Sequence, residues 1–273
     1  MMTNDAADKV ITAEQFVSLV PHDAFLAIGG VLLRRKPMRL IELLCADDRP
    51  PLRIASFLGS LDVEWLAVHQ RISSLTTGYV GMETLGPAPA WADALEKRQA
   101  TMRESSELMF VSGLRASAAG LPFMPSRGAQ GSDLATEANL EPVVCPYTGQ
   151  VLWAMPALRP DVAIIHTEQA DRFGNVDRPS EQDFLWDTDL LLARAAKTVI
   201  VSVERIVPTA DLVHPVLFAH EVHHVFLAPY GAAPTELPGC YPADLAGITA
   251  YLAAVAQGEP PATALAQSFS RGS

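Results

Sequence analysis

Glu107, Arg127, Gly29, Gly30, Arg34 and Glu83 are the residues whose types and surroundings suit chemistry on a carboxylate or a thioester. Glu107 opens a stretch of small residues that Gly120 and Pro122 stop, the signature of a helix with a carboxylate in its first turn. The macrodipole favours an anion there, so Glu107 is either a plain helix-start glutamate or a general base or substrate-positioning group. Residues Ser126 to Ser132 follow as a glycine-bearing loop whose backbone amides, with the guanidinium of Arg127, can hold an anion. A guanidinium brought near Glu107 would lower its pKa, weakening it as a base and stabilising it as an anion.

Gly29 and Gly30 follow an apolar run directly. They let the chain turn tightly and present N–H groups to an oxyanion or phosphate, or they mark a simple strand-to-helix turn. Neither the Gly-x-Gly-x-x-Gly fingerprint nor the P-loop pattern is present. Arg34, Arg35 and Lys36 form a basic cluster just before a helix that Pro37 can open. Such a cluster is either a solvated surface patch or a clamp for a carboxylate, to which arginine offers two parallel hydrogen bonds. Glu83, preceded by Gly81 and Met82, is a candidate for substrate contact.

The run from His220 to His224 satisfies the zinc-protease pattern His-Glu-x-x-His. That pattern binds metal on a helix, where residues four apart lie about 6 Å from each other on one face. Val222, Val225, Phe226 and Leu227, ending at Pro229, read instead as a strand, along which four residues span roughly 13 Å. No metal site is expected.

These residues need a frame. Phe25 to Gly30 and Leu52 to Leu58 read as strands, with helices from Pro37 to Cys45 and around Trp65. A helix-rich zone runs from Ala88 to Gly120; Val162 to His166, Thr198 to Val203 and Val222 to Ala228 are further strands, with Trp186 to Ala196 helical. The alternation predicts an α/β fold, an open, mainly parallel sheet flanked by helices, in one domain over residues 1–273. Phe173 to Asp183 reads as a polar loop bordering the strand ends. Pro242 to about Ala256 reads as a helix, followed from about residue 257 by a loose tail.

Composition narrows the functions. With 49% hydrophobic and 19% charged residues, a 273-residue chain is expected to have an extensive buried interior, with room in it for a subunit interface. The net charge of −11 argues against nucleic acid, and requires that any strongly anionic ligand be held locally or by another chain. Cys45, Cys145 and Cys240 lie far apart, which fits a reducing cytoplasm. The start, Met1 to Asp8, is acidic and lacks the basic and apolar parts of a signal peptide, and no apolar run approaches the roughly 20 residues of a membrane span.

In order and spacing, the segments Leu26 to Pro37, Gly78 to Ala90, Glu107 to Arg127, Ala154 to Leu158, Asp171 to Val176, Val203 to Val207 and Tyr230 to Thr235 resemble the alpha subunits of class I CoA-transferases, the glutaconate CoA-transferase type above all. The resemblance implies that family's subunit fold, a beta-subunit partner, and an acyl-CoA and a carboxylic acid, expected to be dicarboxylic, as substrates, with CoA as co-substrate and no cofactor. It also implies a covalent route: a glutamate attacks the acyl-CoA to give an anhydride, CoA returns to form a glutamyl thioester, and a second acid takes over the CoA, with N–H donors stabilising each oxyanion. In two-chain members the nucleophile is on the beta subunit, whose glutamate motif is not found here, so the chain is expected to be inactive alone. The Arg-Arg-Lys-Pro-Met pattern of Arg34 to Met38 is shared with a CoA-ester hydrolase that opens steroid rings, in which a glutamate of the alpha chain takes part and Glu107 is the match. A non-catalytic subunit of the same fold is the third alternative.

Overall fold

The computed structural model describes residues 7–269; residues 1–6, and with them most of the acidic start, and residues 270–273 lie outside the described residues. The strands form a ten-stranded sheet and a separate three-stranded sheet. The parallel run of the larger sheet lies in the order β5 (Thr101–Glu104), β3 (Ile72–Thr77), β2 (Leu52–Gly59), β1 (Phe25–Val31), β9 (Val162–Ala170), β11 (Thr198–Ile206) and β13 (His224–Leu227). Short β4 (Tyr79–Val80) continues beside the end of β2, and β10 (Val176–Asp177) and β12 (Pro215–Leu217) add short antiparallel strands at the end of β9.

The central strands are buried on both faces, which is why they read as near-continuous apolar runs. On one face Leu26, Ile28, Ile54 and Ile164 meet α1 (Ala13–Leu19), α2 (Met38–Ala46), α3 (Leu61–Val68), α4 (Pro89–Glu96) and α8 (Leu245–Ala256) through Phe16, Leu40, Leu66, Trp91 and Ile248. On the other, the smaller Ala27, Ala55 and Ala163 alternate with them, and α5 (Glu107–Ala118) and α7 (Thr188–Ala195) lie against these positions through Phe110, Leu114 and Leu192. Glu64 ties the first layer together: its carboxylate accepts from Ala90 N (2.9 Å) and Trp91 N (3.0 Å) at the start of α4 and from the Tyr251 hydroxyl of α8.

Three elements differ from the sequence expectation. The zone from Ala88 to Gly120 is not all helix: β5, with every residue exposed, separates α4 from α5. Residues 123–126, expected partly in a loop, form β6 (Phe123–Ser126), which pairs with β8 (Val151–Pro156) beside β7 (Glu141–Val144) in the three-stranded antiparallel sheet; α6 (Leu134–Glu137) is one turn between β6 and β7. The tail expected to be loose from about 257 instead forms α9 (Pro261–Ser268), opened by Pro261 at its first position. Its Ala264 and Leu265 are buried with Tyr251, and Trp65 and Phe269 close the cluster. Leu265→Ala is therefore expected to lower the unfolding free energy by about 2–3 kcal/mol, the lower part of the range for core leucines. Urea unfolding measures it, and a change under about 0.5 kcal/mol, the surface-substitution level, would return the segment to the loose reading.

Candidate active site

Strand order reverses between β1 and β9, and in open α/β sheets ligands bind outside the carboxyl ends of strands at such a point. Gly29 and Gly30 lie near the carboxyl end of β1 there. A Cβ on Gly29 would come within 2.7 Å of Ile165 Cγ2 and 2.9 Å of Asp189 Oδ1. Gly30 has φ +75°, and a Cβ there would meet the Arg34 carbonyl oxygen at 2.5 Å. Only glycines permit this turn, closed by Val31 N to Arg34 O (2.9 Å) and Arg34 N to Val31 O (3.0 Å). The N–H of Gly30 is not free for an oxyanion, since it donates to Asp189 Oδ1 at 2.7 Å.

The basic cluster is neither a solvated patch nor an open clamp, because each cation already has its own carboxylates. Arg34, at the rim, reaches Glu83 Oε1 (2.7 Å) and Glu236 Oε2 (3.3 Å), with the Phe184 ring 5.2 Å from its guanidinium. Arg35 turns inward between Asp183 and Asp189 (3.3 Å to Asp189 Oδ2). Lys36, fully buried, divides its three protons among Gly30 O (3.1 Å), Ser56 Oγ (3.1 Å) and Asp62 Oδ2 (3.0 Å). Burial pushes the Lys36 amine down and the Asp189 carboxyl up, the nearby opposite charges opposing each shift. At Arg35 burial works against the charge but is outweighed by Asp189 and Asp183, which hold its pKa above the ordinary value. Three cations thus face Glu83, Glu236, Asp183, Asp189 and Asp62.

Glu107 and Arg127 occupy a second group on the same edge of the sheet. Ser105 N donates to Thr77 O (2.9 Å) and Gly78 N to Phe57 O (3.0 Å), which sets the start of α5 at the carboxyl ends of β3 and β2. Ser106 caps α5 by accepting from Met109 N (3.3 Å), and its hydroxyl donates to Gly128 O (2.6 Å). That bond draws the chain after β6 against the first helical turn, where Gly128 leaves no room for a side chain (2.8 Å to Met109 N). Glu107 is exposed there, with no hydrogen bond or ion pair among the described residues. Arg127 is not its partner; its Nη2 donates to Gln150 Oε1 at 2.6 Å. The loop from Ser126 to Ser132 is not an open amide cradle, because Gly128 N, Gln130 N and Ser132 N already donate to Ser126 Oγ, Arg127 O and Ala129 O.

Gly29, Gly30, Arg34 and Glu83 are therefore brought together, Glu107 and Arg127 share the start of α5, and no direct contact joins the two groups. Asp62, Asp183, Asp189 and Glu236 complete the first group without any spacing signal in the sequence. Asp183 ends the polar loop read as bordering the strand ends, which is where it lies. A cavity of about 840 Å³ lies between α5, β3, β5 and the small sheet, away from the Arg34 group, and it reaches Phe25 and Arg53 at the opposite ends of β1 and β2. His220 to His224 is a turn entering β13, so the helical geometry of the zinc pattern is absent; His223 Nδ1 accepts from Val199 N (3.1 Å).

A second carboxylate network lies behind Glu236. Glu204, on β11, accepts from His166 Nε2 (2.9 Å), the Tyr241 hydroxyl (2.7 Å), Tyr230 N (2.6 Å) and Gly231 N (3.1 Å). Burial opposes its ionisation, but these donors, His166 foremost, outweigh it and hold its carboxyl below the usual range.

The sequence model of the coenzyme A transferase family matches residues 10–222. An uncharacterised protein of Archaeoglobus fulgidus is 30% identical over 92% of the chain, which spans 57% of that protein's length. The IpdA subunit of a cholesterol ring-cleaving hydrolase of Rhodococcus jostii is 33% identical over 77% of this chain and 72% of its own. The A subunit of a 3-oxoadipate CoA-transferase of Pseudomonas knackmussii is 36% identical over 62% of this chain and 61% of its own. Among solved structures, a variant of the decarboxylase AibA/AibB superposes with TM-score 0.87 at 32% identity, covering 97% of this chain and all of the other (100%). Glutaconate CoA-transferase of Acidaminococcus fermentans superposes with TM-score 0.83 at 25% identity, covering 95% of this chain and 87% of its own. The family match over most of the chain and the shared fold agree with the open parallel sheet and its glycine turn: this chain belongs to the coenzyme A transferase family.

Proposed function

We propose that the chain is the alpha subunit of a heteromeric CoA-transferase that moves CoA between an acyl-CoA and a carboxylic acid, with a dicarboxylic acid the preferred acceptor. The observation that carries this reading is the half-built site. Among its charged groups Glu107 stands exposed and unpaired at the helix start, while the carboxylates around Arg34, Arg35 and Lys36 are held by cations or hydrogen-bond donors and are poor nucleophiles. A second chain supplying the nucleophilic glutamate completes the chemistry, with CoA as co-substrate and no further cofactor. Glu107 then positions the acid, and Arg34 defines the other side of the entrance. No helix among the described residues is long and apolar enough to cross a membrane, and the free thiols of Cys45, Cys145 and Cys240 support a cytoplasmic setting.

The test is reconstitution with the product of an adjacent gene, followed by a screen of CoA esters against dicarboxylic acids. The chain alone is expected to show no transfer and the complex to show it. Transfer by the purified single chain, with its own glutamate trapped by hydroxylamine or borohydride, would overturn the two-subunit reading. A second reading, ring-opening hydrolysis of a CoA ester, is favoured by the free carboxylate of Glu107 and by likeness to the Rhodococcus hydrolase subunit. Hydrolysis without an acceptor acid would select it. Because the decarboxylase structure aligns with 97% of this chain, the same screen follows CO2 release.

A further inference from the structure

The loop from Tyr230 to Tyr241 is pinned at both ends by one carboxylate. Glu204 takes the Tyr230 and Gly231 amides at its start and the Tyr241 hydroxyl at its close, and that hydroxyl also accepts from Ala232 N at 3.1 Å. Tyr230 has φ +54°, a left-handed conformation that a non-glycine residue keeps only when its surroundings enforce it. A Cβ on Gly231 would come within 2.6 Å of His166 Cε1, so the loop crosses directly over the imidazole. His166 is in turn fixed between Ser202 Oγ (2.9 Å from Nδ1) and Glu204.

From this anchored base the loop runs to the entrance. Glu236 N donates to Leu33 O (2.8 Å) and Arg35 N to Glu236 O (2.7 Å), while the Glu236 carboxylate holds Arg34. Gly231 O also accepts from Arg39 N (2.9 Å), near the start of α2, the helix that the basic cluster leads into. The backbone on each side of Arg34 thus takes its position from a loop whose own position is set on the far side of β9.

We infer that Glu204, oriented by His166, is a positioning residue for the Arg34 side of the site, acting through the 230–241 loop and Glu236. The inference rests on the proposed placement of Arg34 at the substrate entrance. Losing the charge of Glu204 leaves the two amides and the tyrosine hydroxyl with a weaker acceptor and sets one amide N–H₂ against donors. The loop then samples other positions and carries Glu236 and Arg34 with it, while Glu107 and the partner's chemistry are untouched.

The experiment compares wild type, Glu204→Gln, Glu236→Gln and the double variant in the reconstituted complex, reading hydrogen exchange and kinetics together. For Glu204→Gln, amide exchange is expected to rise about 10-fold in 230–241 and in 31–37, with β9 and α5 unchanged, as loss of a charge-assisted contact implies. The apparent KM for the acid is expected to rise about 10-fold with kcat within about 2-fold, and adding Glu236→Gln is expected to raise it less than about 3-fold more, the signature of one shared route. Exchange that rises throughout the chain, or in 230–241 but not in 31–37, overturns the inference. So do independent, multiplying effects of the two substitutions. If the wild-type complex transfers no CoA, the functional reading fails, and the exchange pattern still decides whether Glu204 sets the Arg34 segment.

Discussion

Replacing Lys36 with methionine is expected to cost about 3–5 kcal/mol of stability, the range for removing one partner of a buried ion pair. Lys36 and Asp62 are both without exposed side-chain surface, and the lysine gives all three of its protons to acceptors. Methionine matches the length but donates nothing, so the Asp62 carboxylate keeps only Ser56 Oγ (2.6 Å) and Ser60 N (2.6 Å), and the Gly30 carbonyl loses its side-chain donor. The urea midpoint should fall with the slope unchanged. Converting Asp62 to leucine in the same chain should recover a substantial part of the loss, because the uncompensated charge goes with it. A single-variant effect below about 1 kcal/mol, the value of an exposed pair, would mean that water reaches this site and that the charges are not mutually dependent.

Glu107→Gln in the assembled complex is expected to lower CoA transfer by about 10- to 100-fold and leave a measurable rate, as loss of a charge-assisted contact of ~1.5–3 kcal/mol implies. The exposed carboxylate at the start of α5 has no partner to support among the described residues, so the substitution removes a charge without releasing a buried group. Folding should therefore be nearly unchanged, and steady-state rates at saturating and limiting acid separate positioning from binding. A loss of about 10²- to 10⁴-fold, accompanied by hydrolysis in the unaltered complex, would instead assign Glu107 a proton transfer. Arg127→Lys accompanies it: lysine keeps the charge but loses the fork that now holds Gln150, and weaker acid affinity with unaltered acyl-CoA affinity would place Arg127 on the acid side.

The central frame is legible in the sequence because its elements obey strong local rules. β1, β2, β9 and β11 are covered on both faces and read as continuous apolar runs, and α2 follows Pro37 with a clear apolar face. β5 disappears into a helical zone because four exposed residues on a sheet edge carry no alternation to detect. α9 reads as tail because Pro260 and Pro261 look like termination, although the second opens a helix. In the site, Gly29 and Gly30 announce their turn, and Arg34 to Lys36 announce their charge. Their directions are not legible. Which of three consecutive cations turns inward depends on Asp62, Asp183, Asp189 and Glu236, which only the folded topology brings near. Glu204 lies within a segment that marks the family resemblance, yet nothing local shows that a loop more than twenty residues onward rests on it.

The two ends of the parallel run are finished differently. Beyond β13 the main chain of residues 9–11 is laid alongside, with Val225 N donating to Lys9 O (2.9 Å) and Ile11 N to Val225 O (2.9 Å), so that flank is sealed by the chain itself. At the opposite flank β5 pairs with β3 alone among the described residues, and its outward groups remain open to recruitment by a foreign strand. Its protection is brevity and charge: four residues long, with Arg103 and Glu104 among them. The two charges make that edge costly to bury against another strand. A short, charged edge of this kind is a poor template for a second copy of the chain to zip onto while folding is incomplete.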